Sequence, residues 1–106
     1  MAFDVVESAG LNPATDTDTT LYTSTGATIA LVSVVNMSTS TNSLVAIAHR
    51  RSGAALDDTM YKMRNFELRP GEDRHIGPFM VANTGIITCR ANSTECSFTM
   101  EGFSTS

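Results

Sequence analysis

Tryptophan is absent from this chain, and Tyr22 and Tyr61 are its only tyrosines. Domains that grip sugars stack them on open aromatic rings, so this shortage argues against a carbohydrate-binding module. Basic residues are few as well. Lys62 is the single lysine beside six arginines, Asp and Glu outnumber Lys and Arg by 11 to 7, and the net charge is −4. A nucleic-acid surface needs clustered cations, so none is expected. Apolar runs are short, and none approaches the ~20 residues that span a bilayer. The opening Met1-Ala-Phe-Asp-Val-Val-Glu7 has neither the basic n-region nor the apolar h-region of a secretory signal. Asn36-Met-Ser38 and Asn92-Ser-Thr94, which match the glycosylation pattern, are therefore read as chance.

Cysteine is scarce too. Cys89 and Cys96 stand alone, with no histidine at ligand spacing, so no zinc site is expected. Asp16-Thr-Asp18 resembles part of a calcium loop but lacks the remaining oxygen ligands. His49 and His75 have no acidic partner at a useful local spacing. Neither a Gly-x-Ser-x-Gly elbow nor a metalloprotease helix is present. The chain is expected to hold no cofactor and to be no enzyme.

What is present is β patterning in 106 residues with 42% apolar and 17% charged content, enough for one domain with a modest core. In Glu95–Glu101, Cys96, Phe98 and Met100 alternate with polar residues, which gives a strand one apolar and one solvated face. Ala27–Met37 is β-branched and apolar on both faces through Ile29, Leu31, Val32, Val34 and Val35. Such a strand is central, or covered on both sides. Ser43–Arg50 returns from the polar turn Ser38–Asn42. Arg51–Asp58 reads as a loop or a single helical turn. Thr59–Leu68 alternates until Phe66 and Leu68 break phase, which places a bulge or a strand bend near Asn65. Arg69-Pro-Gly-Glu72 is a turn. Asp73–Val81 contains Pro78, which has no N–H for a ladder, so it is an edge strand or ends at Gly77. With Thr19–Thr23 and the two arms of a closing hairpin over 84–103, these make about seven strands. The fold expected is all-β, an antiparallel β-sandwich or jelly-roll-like domain. In the hairpin, a turn at Asn92-Ser93 would set Cys89 opposite Cys96. They are read as buried thiols, with a cross-strand disulfide as the alternative.

Residues 1–18 read differently. Gly10, Pro13 and the Asp/Thr cluster interrupt regular structure, so this stretch is expected to be an extended N-terminal arm and polar linker, ahead of a sandwich domain over 19–106. The arm becomes ordered when something covers Phe3, Val5 and Val6, or it is a frayed terminus. His49-Arg50-Arg51 is the one basic cluster, a solvated strand end or an anchor for a partner's carboxylates. Phe3, Val5, Val6, Arg50 and Arg51 are the candidate partner contacts. Most of the six methionines are expected to fill the core, and any left exposed to serve an adaptable interface.

The order of segments from Thr20 to Ser104 resembles a family of small phage virion structural proteins. The pieces are Thr20-Leu-Tyr-Thr23, the long apolar strand to Asn36, Arg51-Ser-Gly-Ala-Ala55, Met60-Tyr61 and Leu68-Arg-Pro-Gly-Glu-Asp73. A closing segment of the form Gly-Ile-Ile, Asn-Ser-Thr, Ser-Phe and Gly-Phe completes them. The resemblance covers about four-fifths of the chain. The longer N-terminal arm, the cysteines and Gly77-Pro78-Phe79 depart from the pattern. What the likeness implies is a capsid decoration or cement protein, made in the host cytoplasm and located on the capsid surface. Its partner would be the major capsid protein, with the chain a homo-oligomer on the particle. A tail or neck adaptor or fibre-base protein is the alternative. As a cement protein, its extended arm carrying Phe3, Val5 and Val6 would add a strand to a capsid loop or a neighbouring decoration subunit.

Overall fold

The computed structural model describes residues 3–105. It is all-β, with strands β1 (Phe3–Leu11), β2 (Thr19–Thr23), β3 (Thr28–Asn36), β4 (Ser43–Arg50), β5 (Tyr61–Leu68), β6 (Asp73–Val81), β7 (Ile86–Ala91) and β8 (Cys96–Thr105). One 3₁₀ turn, Asp58–Met60, precedes β5, and the Asp57 carboxylate caps it by accepting from the Thr59 N–H.

The strands form two four-stranded antiparallel sheets. Sheet A has the order β1-β8-β3-β6 and sheet B the order β2-β7-β4-β5. The outermost strands of the sequence pair with each other, β1 on β8, and the pairs nest inward as β2 on β7, β3 on β6 and β4 on β5. A long hairpin wound in this way is the eight-stranded jelly roll. Nesting also explains a correction. Residues 84–103 do not form a hairpin, because β7 lies in sheet B beside β2 and β4, and β8 lies in sheet A beside β1 and β3. Alternation along β8 fixes which face is apolar, but not which strand it pairs with. Cys89 consequently pairs with Thr19 and Ile47, Cys96 pairs with Asn36, and both cysteines are free.

Alternation fills the interior as the sequence suggests. Ala30, Val32 and Val34 of β3 and Cys96, Phe98 and Met100 of β8 face Val45 and Ile47 of β4 and Ile87, Cys89 and Ala91 of β7. Leu21, Met63, Leu68 and Val81 complete the core, with Ala9 and Leu11 of β1 packed against it. The described part of residues 1–18 thus supplies the eighth strand, in register with β8 from Val5 to Leu11; Met1 and Ala2 lie outside the described residues.

Buried polar groups fasten the corners. Asn36 donates to the carbonyls of Thr41 (2.9 Å) and Leu68 (3.1 Å) and accepts from the Ser38 N–H (3.0 Å), so its amide is satisfied while tying the β3–β4 turn to the end of β5. Ser24, Thr28 and Tyr22 share hydroxyl bonds at the opposite corner (Ser24 to Thr28, 2.8 Å). In the turn Arg69–Glu72, the Glu72 N–H bonds the Arg69 carbonyl at 3.0 Å and Gly71 sits at φ 76°, a conformation that favours glycine. The bulge in β5 falls at Asn65 (φ 51°), and β6 is an edge strand that carries Pro78 through a register shift opposite Ala30–Val32.

Candidate functional site: the outer face of sheet A

The inner residues of each strand being spoken for, the opposite phase faces out. On sheet B that face is largely polar, with Leu44 its one exposed large apolar side chain among the described residues: Ala46 and Ala48 form a small-residue floor, and Tyr61, Arg64, Asn65 and Arg90 surround a hollow over Ala46. Its charges are compensated. Arg64 meets Asp58 at 2.5 Å and lies over the Tyr61 ring at 4.8 Å, and Arg90 meets Asp18 at 3.6 Å.

The outer face of sheet A is different. Val6 of β1 stands opposite Phe103 of β8, Phe103 opposite Ile29 of β3, and Ile29 opposite Met80 of β6. These four side chains form one apolar row across all four strands. Val6 is 74% exposed, Met80 53% and Phe103 51%, and Leu31 on the next register position of β3 is 37% exposed. Beside the row, Ile29, Leu31, Pro78, Glu101, Gly102 and Phe103 line an open hollow of about 270 Å³. Gly102 holds β8 close to β3 here, since a Cβ at this position would run into the Ile29 carbonyl oxygen. Single exposed apolar residues are ordinary, but these share one register row, which makes this face the candidate interaction surface.

Of the residues singled out in the sequence, Phe3, Val5 and Val6 lie on β1, with Phe3 half-buried and Val6 in the apolar row. Arg50 and Arg51 are elsewhere, at the end of β4 in sheet B and in the loop that follows. Arg50 is half-buried opposite Ile86, and Arg51 donates to the Thr59 hydroxyl at 3.1 Å and lies 3.9 Å from Asp57. The fold places these two groups on different sheets. Phe103, Ile29, Leu31 and Met80 were missed as contacts, although phase carries the signal: Phe103 is odd-numbered where Cys96, Phe98 and Met100 face inward. Five methionines lie among the described residues. Met60, Met63 and Met100 are buried, while Met37 and Met80 are exposed.

His49, 5.9 Å from the Phe79 ring, has its pKa lowered chiefly by burial, with Lys62 and Arg51 adding positive charge nearby. His75 Nδ1 shares a hydrogen bond with the Ser33 hydroxyl at 2.8 Å, and its Nε2 lies 3.4 Å from Asp73. Burial, helped by Asp18, pushes the Cys89 thiol up to about 12, so it is neutral at any physiological pH. Among the described residues, no group of three or more His, Cys, Asp or Glu is placed to hold a metal ion. No described helix is long and apolar enough to cross a membrane. Comparisons with protein-family models, curated proteins and solved structures find no match for this chain.

Proposed function

We propose that this chain is a non-enzymatic structural protein of a phage virion, a decoration or cement protein that stabilises the head by bridging capsid subunits. The observation that carries the reading is the apolar row Val6–Phe103–Ile29–Met80 on the open side of sheet A. An acidic sandwich with an unpartnered apolar sheet face is built to sit on something. The segment resemblance from Thr20 to Ser104 supports a phage shell as that partner. The jelly-roll strand order supports it by analogy only, since that fold also serves lectins and other proteins.

Magnitudes favour a many-copy role. Completing the burial of Val6, Phe103, Met80 and Leu31 is worth on the order of 1 kcal/mol each. A total of about 4 kcal/mol corresponds to roughly millimolar affinity before ordering costs are subtracted. One copy on one capsid site is thus weakly held, whereas copies that touch several capsid subunits or each other gain from high effective concentration.

The test is to assemble particles without this chain and challenge them with heat and osmotic shock. Loss of resistance, restored by adding back the protein and not by Phe103→Lys, is the expected outcome. Particles that keep full resistance without it would refute the role.

A further inference from the structure

The jelly roll has four sheet edges, and they are not equivalent. The β2 edge is five residues long and broken by a register shift at Thr20–Tyr22. The β5 edge bulges at Asn65 and carries Lys62, Arg64 and Glu67. The β6 edge is interrupted by Gly77 and Pro78 and starts with Asp73 and Arg74. Short length, bulges, charge and proline are the devices that stop an edge from taking up another strand. Among the described residues, β1 carries none of them between Val5 and Leu11 apart from Glu7. That carboxylate is already engaged, accepting from the Ser104 hydroxyl at 2.8 Å.

We propose that two copies of this chain pair through β1, antiparallel and centred on Ser8, so that their two A sheets continue as one eight-stranded sheet. A two-fold interface must be self-complementary, which a strand paired with its own copy satisfies. The register follows from charge and shape. Centring on Glu7 would set two carboxylates directly opposite each other, which destabilises a pair. Centring on Ser8 sets Glu7 opposite Ala9 of the second copy, Val5 opposite Leu11 and Val6 opposite Gly10. Glycine leaves room for Val6, and Val5, 38% exposed in the single chain, gains an apolar neighbour.

The outer faces also suit a second copy. In this register facing residues keep the same phase, so Val6, Ser8 and Gly10 of both copies point to one side of the joined sheet, and the two apolar rows, each ending at Val6 on β1, lie on that same side. Because Val6 stands opposite Gly10 of the second copy, the two rows are staggered along the paired strands and do not meet end to end. The pairing rests on edge geometry and charge, whereas the use of this shared side on a shell rests on the function proposed above. An experiment in solution without particles lets the two fail separately.

Sedimentation of the full chain across a concentration series is the measurement. A monomer–dimer equilibrium is expected. Ser8 is exposed, so Ser8→Lys keeps the fold, checked by circular dichroism, but sets two cations opposite each other. It should weaken dimerisation by up to about fivefold. Mixing Ser8→Lys with Ser8→Glu should restore a mixed dimer. Ser8→Cys should give a disulfide-linked dimer on oxidation, Cys89 and Cys96 being buried. A chain that stays monomeric at every concentration overturns the proposal, as does a dimer indifferent to charge at Ser8. A monomer that takes up an added capsid-protein strand at β1 also overturns it, in favour of that other occupant.

Discussion

Lys62 Nζ on β5 lies 5.2 Å from the centroid of the Phe79 ring on β6, so a cation from sheet B closes over an aromatic ring of sheet A. The reciprocal arrangement stands nearby, with the Arg74 guanidinium of β6 over the Phe66 ring of β5 at 5.2 Å. Together the two pairs seal the open seam between the edge strands. Each is worth about 0.5–1 kcal/mol at such exposed sites.

His49 reports on this seam. Lys62 lies near enough to hold its pKa down, so Lys62→Met should raise it while lowering stability by less than about 1 kcal/mol. Imidazole proton shifts followed by NMR would measure the change. The sign for stability follows from linkage. His49 has a lower pKa folded than unfolded, so between the folded value and 6.5 the unfolded chain binds more protons. Stability should fall as the pH drops below about 6.5 and level off below the folded pKa. In His49→Gln this part of the pH dependence should vanish.

The Cys89 thiol behaves oppositely in alkali. Its folded pKa, about 12, lies above the ordinary 9.0, so the folded chain holds the proton more tightly. This contribution is complete below pH 9 and is lost as the pH rises towards 12. At pH 8 the thiol should resist alkylation in the folded chain and react quickly once denaturant is added. Rapid labelling of native protein at Cys89, located by peptide mapping, would contradict the buried placement.

Removal of β1 separates two accounts of the N-terminus. As an arm outside the domain, residues 1–17 should be dispensable for folding. As the strand paired with β8, they cover one side of it and bring Ala9 and Leu11 against the core. The structure favours the second, so their deletion should lower the thermal midpoint well beyond the effect of an exposed point substitution. For scale, Phe98→Ala at the fully buried position near the start of β8 should cost about 3–5 kcal/mol.

The alternation of Cys96, Phe98 and Met100, the bulge at Asn65, the edge position of Pro78 and the turn at Gly71 were all legible in the sequence, because each is set by local geometry. The partner of each strand was not. Wrapping of β7 onto β2 and β8 onto β1 depends on long-range pairing, which alternation leaves open, so Cys89 and Cys96 looked opposed while lying on different sheets. The apolar row was hidden for the same reason. Val6, Phe103, Ile29 and Met80 come from four distant segments, and only their shared register makes them a surface.

Reconstruction of a phage particle carrying this chain tests the central claim most directly. The account predicts density for it in hundreds of copies over the head, as shell symmetry dictates, with the Val6–Phe103–Ile29–Met80 face turned towards the capsid protein. About six or twelve copies confined to a ring at the tail or neck, or copies on the shell with that face pointing to solvent, would contradict it.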